Sequence, residues 1–304
     1  MNANLSTGIF GEYRIIVKKK DQVVQDTGWF KNLILNSGLD FFGNVNEPLR
    51  NETAYRYCKV GTGTSTPIVT QTALDSQLGE TAYDSYTTTS PVVSPDYINQ
   101  NVAFYEFDIG QIVGTIAEIG VGWISGIGSL FSRALILDAL GNPTTITLTS
   151  INQLQVYYRL NFVPSTTDFN GSFVIGSTTY NYTGRHSSIL GFNPYAYPSA
   201  FNGFSSSVAS YGSDFTLEPI TNNPGGTFAG SNSSKTLSTY ISGNYYLDIT
   251  YVWDTTTGNG TGGIKGFNVG LDGGNTFQIE LDQAIPKDAT KTLSITIRNS
   301  WNRI

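Results

Sequence analysis

NVAFYEFDIG (101–110), TIAEIGVGWISGIGSLFSRALILDALGNPTTITLTS (115–150) and LQVYYRLNFV (154–163) form a near-continuous run with apolar residues at every second position. In LQVYYRLNFV, Val156, Tyr158, Leu160 and Phe162 fall on one face, and Gln155, Tyr157, Arg159 and Asn161 on the other. Period-2 alternation puts successive side chains on opposite faces of a pleated strand, so this is the pattern of a half-buried antiparallel strand. Glycines and the Gly141-Asn142-Pro143 turn punctuate the run, and no long helical period interrupts it. The expected fold is all-β, built mainly of antiparallel β-sandwich modules.

Working outward, EYRIIVKKKDQVVQD (12–26) reads as a hairpin turning at Lys20-Asp21-Gln22. Its Lys18-Lys19-Lys20 cluster is a solvated strand end. In WFKNLILNSGLDFFGNV, Phe30, Leu33, Ile34, Leu39 and Phe42 predict one short amphipathic helix near residues 30–43. Tyr55–Val60 is a strand with Cys58 as a small buried hydrophobe. At Pro164-Ser165-Thr166-Thr167 an apolar strand gives way to small polar residues. The chain is therefore divided into a β-rich module 1–163 and a second sandwich module 164–304 with long polar and aromatic loops. Clear strands in the second half are YYLDITYVW (245–253), FQIEL (277–281) and TLSITIRN (292–299).

Of the 304 residues only 13% are charged while 13% are aromatic, so the surface must be made largely of uncharged polar side chains. Such a surface repels its own copies weakly, and close subunit packing meets little electrostatic opposition. The formal charge of −6 argues against nucleic-acid binding, which calls for a basic footprint. A single cysteine excludes an intrachain disulfide. The apolar region 109–140 is broken by Gln111, Glu118, Arg133 and Asp138, which argues against membrane insertion. The first residues lack the basic and apolar segments of a signal peptide, so synthesis in a cytoplasm is expected.

No catalytic, cofactor-binding or metal-binding residues emerge. His186, the only histidine, has no nucleophile elbow to serve and reads as a loop residue. Gly258-Asn259-Gly260-Thr261-Gly262-Gly263 matches GxGxxG but leads into a strand rather than a helix, so it reads as a hairpin loop. GTGTSTP (61–67) lacks the Lys-Ser/Thr ending of a phosphate loop. DTTTGNG and GLDGGN place Asp and Asn near glycines, but turn chemistry explains them better than calcium. Asp248, Asp254, Asp272, Glu280 and Asp282 are candidate carboxylates for sugar hydrolysis whose spacing the sequence does not give; solvated strand charge is the simpler reading. The most suggestive binding feature is the loop 191–215. Phe192, Tyr195, Tyr197, Phe201, Phe204 and Tyr211 would there meet a glycan, a neighbouring subunit or the core.

TGWFKNLILNSGLDFFG (27–43), KVGTGTSTPIVTQTALDSQL (59–78), FYEFDIG…VYYRL (104–160) and the terminal FQIELDQAIPKDATKTLSITIRNSWNRI resemble a family of tailed-bacteriophage virion proteins, the tail, tail-fibre or collar proteins. Residues 165–240 share no such likeness. The resemblance implies a non-enzymatic virion component present in several copies on the neck or tail, with itself and other tail or neck proteins as partners. A receptor-binding fibre contacting host surface glycan is the alternative, and a polysaccharide depolymerase a distant third.

Overall fold

From Leu5 to Val17 alternate positions are buried, namely Leu5, Thr7, Ile9, Gly11, Tyr13, Ile15 and Val17, and of the side chains between them only Ile16 is also buried. A strand of this length can serve more than one hydrophobic core. The computed structural model describes residues 3–43, 53–89, 92–93, 96–187, 208–270 and 276–304. In it, Ala3–Lys19 lies at the centre of a nine-stranded sheet. It pairs antiparallel with Asn152–Pro164 from Thr7↔Pro164 to Lys19↔Asn152. Its other side is shared: Ala3 to Ile9 run parallel to Ile297 to Arg303 of Leu293–Arg303, Glu12 and Tyr13 pair with Phe30–Lys31, and Ile16 to Lys19 pair with Gln22–Asp26. The hairpin turns on Lys20 and Asp21, both with positive φ (50° and 64°), the two-residue turn whose twist matches that of the strands.

The full order of the long sheet is Ser234–Leu237, Tyr246–Trp253, Leu293–Arg303, Ala3–Lys19, Asn152–Pro164, Asn99–Glu106 and Ser85–Thr89. A five-stranded sheet faces one half of it: Leu33–Ile34, Leu130–Leu135, Glu118–Gly122, Tyr57–Gly61 and Gln77–Ala82. A six-stranded sheet faces the other: Phe169–Ile175, Thr178–Ser187, Thr276–Ile285, Ile264–Gly270, Val208–Tyr211 and Phe228–Ser231. Every pairing in these two sheets is antiparallel. The all-β sandwich architecture expected from the alternation is therefore present. The run 101–163 that announced it is distributed between the long sheet, the five-stranded sheet and a two-stranded ribbon of Gly114–Ile116 with Ile146–Leu148.

Two cores result. The first holds Ile9, Tyr13, Ile15, Tyr105, Val156, Tyr158, Leu160 and Phe162 from the long sheet against Cys58, Val60, Ile119, Val121 and Phe131. The second holds Ile249, Tyr251, Trp253, Leu293, Ile295 and Ile297 against Tyr180, Tyr182, Phe267, Val269, Phe277, Ile279 and Leu281. Each fully buried large apolar side chain contributes about 1.5–3 kcal/mol, so neither core is marginal. The chain leaves the first sandwich after Pro164 and enters the six-stranded sheet at Phe169. The cores are nonetheless stitched together at both chain ends. Leu5 lies in the second core while Ile9 on the same strand face lies in the first, and Trp301 lies in the first core while Ile297 lies in the second.

Three local expectations need correction. The helix is Asn36–Gly43, not the whole of 30–43, because Phe30–Lys31 and Leu33–Ile34 are claimed by neighbouring strands. Phe42 stands between the sheets, edge-on to Phe131 at 5.4 Å and Phe162 at 6.1 Å. The helix backbone can approach that closely because Gly38 abuts Phe131 O, where a Cβ would sit 2.2 Å from the oxygen. Second, the GNGTGG segment is not a hairpin loop. It joins Tyr246–Trp253 of the long sheet to Ile264–Gly270 of the six-stranded sheet and so crosses from one layer to the other. Third, His186 is not in a loop. It lies on Thr178–Ser187, buried, with its ring 5.0 Å from that of Phe277.

Candidate functional site

Alternation on three strands of the six-stranded sheet turns a row of polar side chains away from the second core. On Thr178–Ser187, Tyr180 and Tyr182 point inward while Asn181 and Thr183 are more exposed; on Thr276–Ile285, Ile279 and Leu281 point inward while Glu280 and Asp282 are more exposed. Register then assembles them. Asn170 pairs with Thr183, Thr183 with Glu280, and Ser172 with Asn181. Lys265 closes the far side through an ion pair with Glu280 at 3.0 Å. These residues line a groove of about 650 Å³ on the outer face of the sheet. One row further along, Arg185 pairs with Gln278 in register. There the Gln278 amide donates to Glu218 O (2.7 Å) and accepts from Glu218 N–H (2.7 Å), which pins a loop over the sheet.

The groove side chains are held before any ligand arrives. Asn181 donates to the Asp282 carboxylate from its backbone N–H (3.0 Å) and from Nδ2 (2.7 Å), and the Thr183 hydroxyl donates to Asn170 Oδ1 (2.8 Å). The Asn181 side-chain hydrogen bond, with help from backbone N–H groups, holds Asp282 below the usual carboxylate range. Of the carboxylates proposed from sequence, only Glu280 and Asp282 stand in this groove. Asp248 is bound by Arg298 at 2.8 Å, Asp254 is engaged by Thr256 at 2.7 Å, and Asp272 lies outside the described residues.

Of the loop aromatics, Phe192, Tyr195, Tyr197, Phe201 and Phe204 lie outside the described residues. Tyr211 ends the strand Val208–Tyr211 half-buried, packed against Phe215 at 5.4 Å and Phe228 at 6.2 Å. Phe215 is fully buried over Gly266, where any Cβ would fall 2.1 Å from the ring. Tyr211 therefore belongs to an aromatic cluster of its own chain.

The glycine-rich loops that suggested ligands close instead over buried charges of the protein. The GTGT loop presents its Gly63 N–H to Glu118 Oε1 (2.9 Å), joined by Ser76 N–H (2.9 Å) and Asp75 N–H on Oε2 (3.1 Å). Glu118 is itself fully buried and paired with the fully buried Arg133 at 2.8 Å. Arg133 also reaches Asp75 at 2.7 Å and Gln71 Oε1 at 2.8 Å. The Ser65 hydroxyl, followed by the Arg133 charge, lowers the Asp75 carboxyl below its ordinary value. Where a phosphate loop would cradle an anion, this loop cradles a carboxylate from its own sheet.

Lys59 repeats the device with opposite sign. Its buried ammonium donates to Gly126 O and to Gly128 O (2.7 Å), with Glu80 at 4.0 Å; burial lowers its pKa. In the DTTTGNG loop, Lys287 donates to Asp254 O (2.7 Å), Thr257 O (2.9 Å) and Asn259 Oδ1 (2.7 Å), an oxygen cage filled by an ammonium rather than calcium. Among the described residues no group of three or more His, Cys, Asp and Glu side chains is placed to hold a metal ion. No described helix is long and apolar enough to cross a membrane.

Sequence reasoning missed the groove, apart from Glu280 and Asp282. The alternation of TTYNYTG does put Asn181 and Thr183 on one face, but only register brings Asn170 and Lys265 to them. Compared with protein-family models, with curated proteins and with solved structures, the chain matches none.

Proposed function

We propose that this chain is a non-enzymatic structural component of a tailed-phage virion, assembling with copies of itself and with other tail or neck proteins at the head–tail collar or tail. The observation that carries the reading is spatial. The stretches resembling tail and collar proteins are far apart in sequence, yet most of them supply the first sandwich. Residues 27–43 give the helix and two short strands, 59–78 the loop that joins Tyr57–Gly61 to Gln77–Ala82 with the adjoining strand ends, and 104–160 the centre of the five-stranded sheet together with most of Asn152–Pro164. The terminal stretch supplies Leu293–Arg303, whose Trp301 Nε1–H donates to Leu39 O of the helix (2.8 Å) and whose Arg303 reaches Asn36, and also nearly all of Thr276–Ile285 in the six-stranded sheet. Stretches that share a likeness and fold largely into one unit are what a common assembly module would leave.

Subunit packing draws support from the surface. Leu78, Ile109, Val113 and Ile151 of the first sandwich are 42–65% exposed, apolar side chains of the kind that contacts between proteins cover. The non-enzymatic reading draws support from the groove. A glycosidase needs one carboxyl group with a raised pKa to act as the acid, whereas Asp282 is held low by Asn181. Membrane insertion and nucleic-acid binding have no place in this reading.

Immunogold electron microscopy of intact virions, with antibody against residues 165–304, tests it. Label on the neck or tail is expected. Label at the distal tips of fibres would favour the receptor-binding alternative, and absence from the particle would overturn both.

A further inference from the structure

We infer that the outer groove of the six-stranded sheet is a binding site for a neutral, hydroxyl-rich saccharide. The inference does not depend on where in a particle the chain sits.

The lining selects the ligand class by exclusion and then by fit. Ligand pockets for apolar molecules have mainly hydrophobic walls with a few polar anchors, whereas here seven polar or charged side chains stand beside Tyr182 and Leu281. Asn170, Asn181, Thr183, Lys265, Glu280 and Asp282 present amides, a hydroxyl, carboxylates and an ammonium. A phosphate or sulfate would need a positive excess, but the single cation is neutralised by Glu280 at 3.0 Å and Asp282 adds a negative charge. A divalent cation would need a fuller oxygen shell than the two carboxylates the groove offers. A ligand bearing many hydroxyls, each able to donate and accept, is what an alternation of carboxylate acceptors and amide or ammonium donors can satisfy.

Geometry favours an elongated molecule. Asn170, Thr183, Glu280 and Lys265 come from four adjacent strands, and strands lie about 4.8 Å apart, so the row runs for about 14 Å. Ser172, Asn181 and Asp282 form a second row alongside. The internal hydrogen bonds of Asn181 with Asp282 and of Thr183 with Asn170 fix these groups before binding, which reduces the entropy lost on association.

The test uses the full chain. A printed array of neutral and anionic oligosaccharides is probed first, and the strongest neutral ligand is then titrated in solution and followed by backbone NMR. Binding of at least one neutral oligosaccharide is expected, with shifts centred on Asn181, Thr183 and Lys265. The double variant Glu280→Gln/Asp282→Asn is expected to bind about tenfold or more weakly, the size of one lost charge-assisted hydrogen bond. Ser172→Trp, on an exposed position, fills the groove without touching the core and is expected to abolish binding while leaving the thermal midpoint in place. Three results would overturn the proposal: no neutral oligosaccharide bound, binding only of anionic glycans that salt removes, or binding that both groove variants leave intact. Each of these leaves the virion reading standing, since particle labelling decides that separately.

Discussion

The two sandwiches carry similar exposed ion pairs but differ in the charge they bury. In the first, Glu118 and Arg133 are both fully buried, and the loops 62–76 and 124–128 are organised around Glu118 and Lys59. In the second, the pairs Lys265–Glu280 and Arg185–Asp168 keep about a quarter or more of each side chain in water. A buried pair gains little net stability over apolar residues but penalises any structure that leaves one partner alone. Exposed pairs contribute about 0–1 kcal/mol and leave their groups available. The first sandwich is thus built to hold one conformation, and the second keeps a polar face open. Lys287 is the exception that joins them: it lies in the second half and clamps a loop as Lys59 does.

The contrast can be broken in order of effect. Arg133→Met strands the Glu118 carboxylate in the core and is expected to cost about 3–5 kcal/mol in urea unfolding. Lys287→Met leaves the carbonyls of Asp254 and Thr257 without their donor but abandons no buried charge, so about 1–3 kcal/mol is expected, with increased amide exchange at 254–260. A cost for Lys287→Met equal to that of Arg133→Met would erase the distinction between the sandwiches.

A pH series sharpens it further. Asp75 has its pKa lowered by Ser65 and Arg133, so it binds protons less readily folded than unfolded. Its contribution is full above the unfolded value of about 3.9 and is lost as pH falls through the lower folded value. The stability gap between wild type and Asp75→Asn should therefore be constant near neutrality and close below about pH 4. A gap that persisted into strong acid would remove Asp75 from the buried-charge network. The smallest effect belongs to Lys265→Met, expected to change stability by less than about 0.5 kcal/mol in the same unfolding assay, because its pair is solvated.

Much of the fold was legible because a strand with one buried face advertises it. Val156, Tyr158, Leu160 and Phe162 are buried as their alternation indicated, and so are Leu247, Ile249, Tyr251 and Trp253. The Lys20-Asp21 turn was also visible from the charges between two apolar strands. The helix was placed too early because Phe30, Leu33 and Ile34 fit a helical spacing, while pairing with Ala3–Lys19 and Leu130–Leu135 draws them into strands. His186 looked like a loop residue because it opens a Ser-, Gly- and Asn-rich stretch, while its strand partner, Phe277, lies about ninety positions away.

Sequence alone determined which side chains share a strand face, where one hairpin turns, and that a weakly charged, disulfide-free chain must rest on apolar burial. Tertiary structure alone decided the neighbours. Glu118 and Arg133 appeared in the sequence only as charges interrupting an apolar region, and Glu280 and Asp282 only as outward carboxylates. That the first pair is entombed and the second pair lines a groove follows from loops and strands brought in from distant positions. Period-2 alternation encodes facing but not pairing, and the cost or use of a charge depends on what is paired against it.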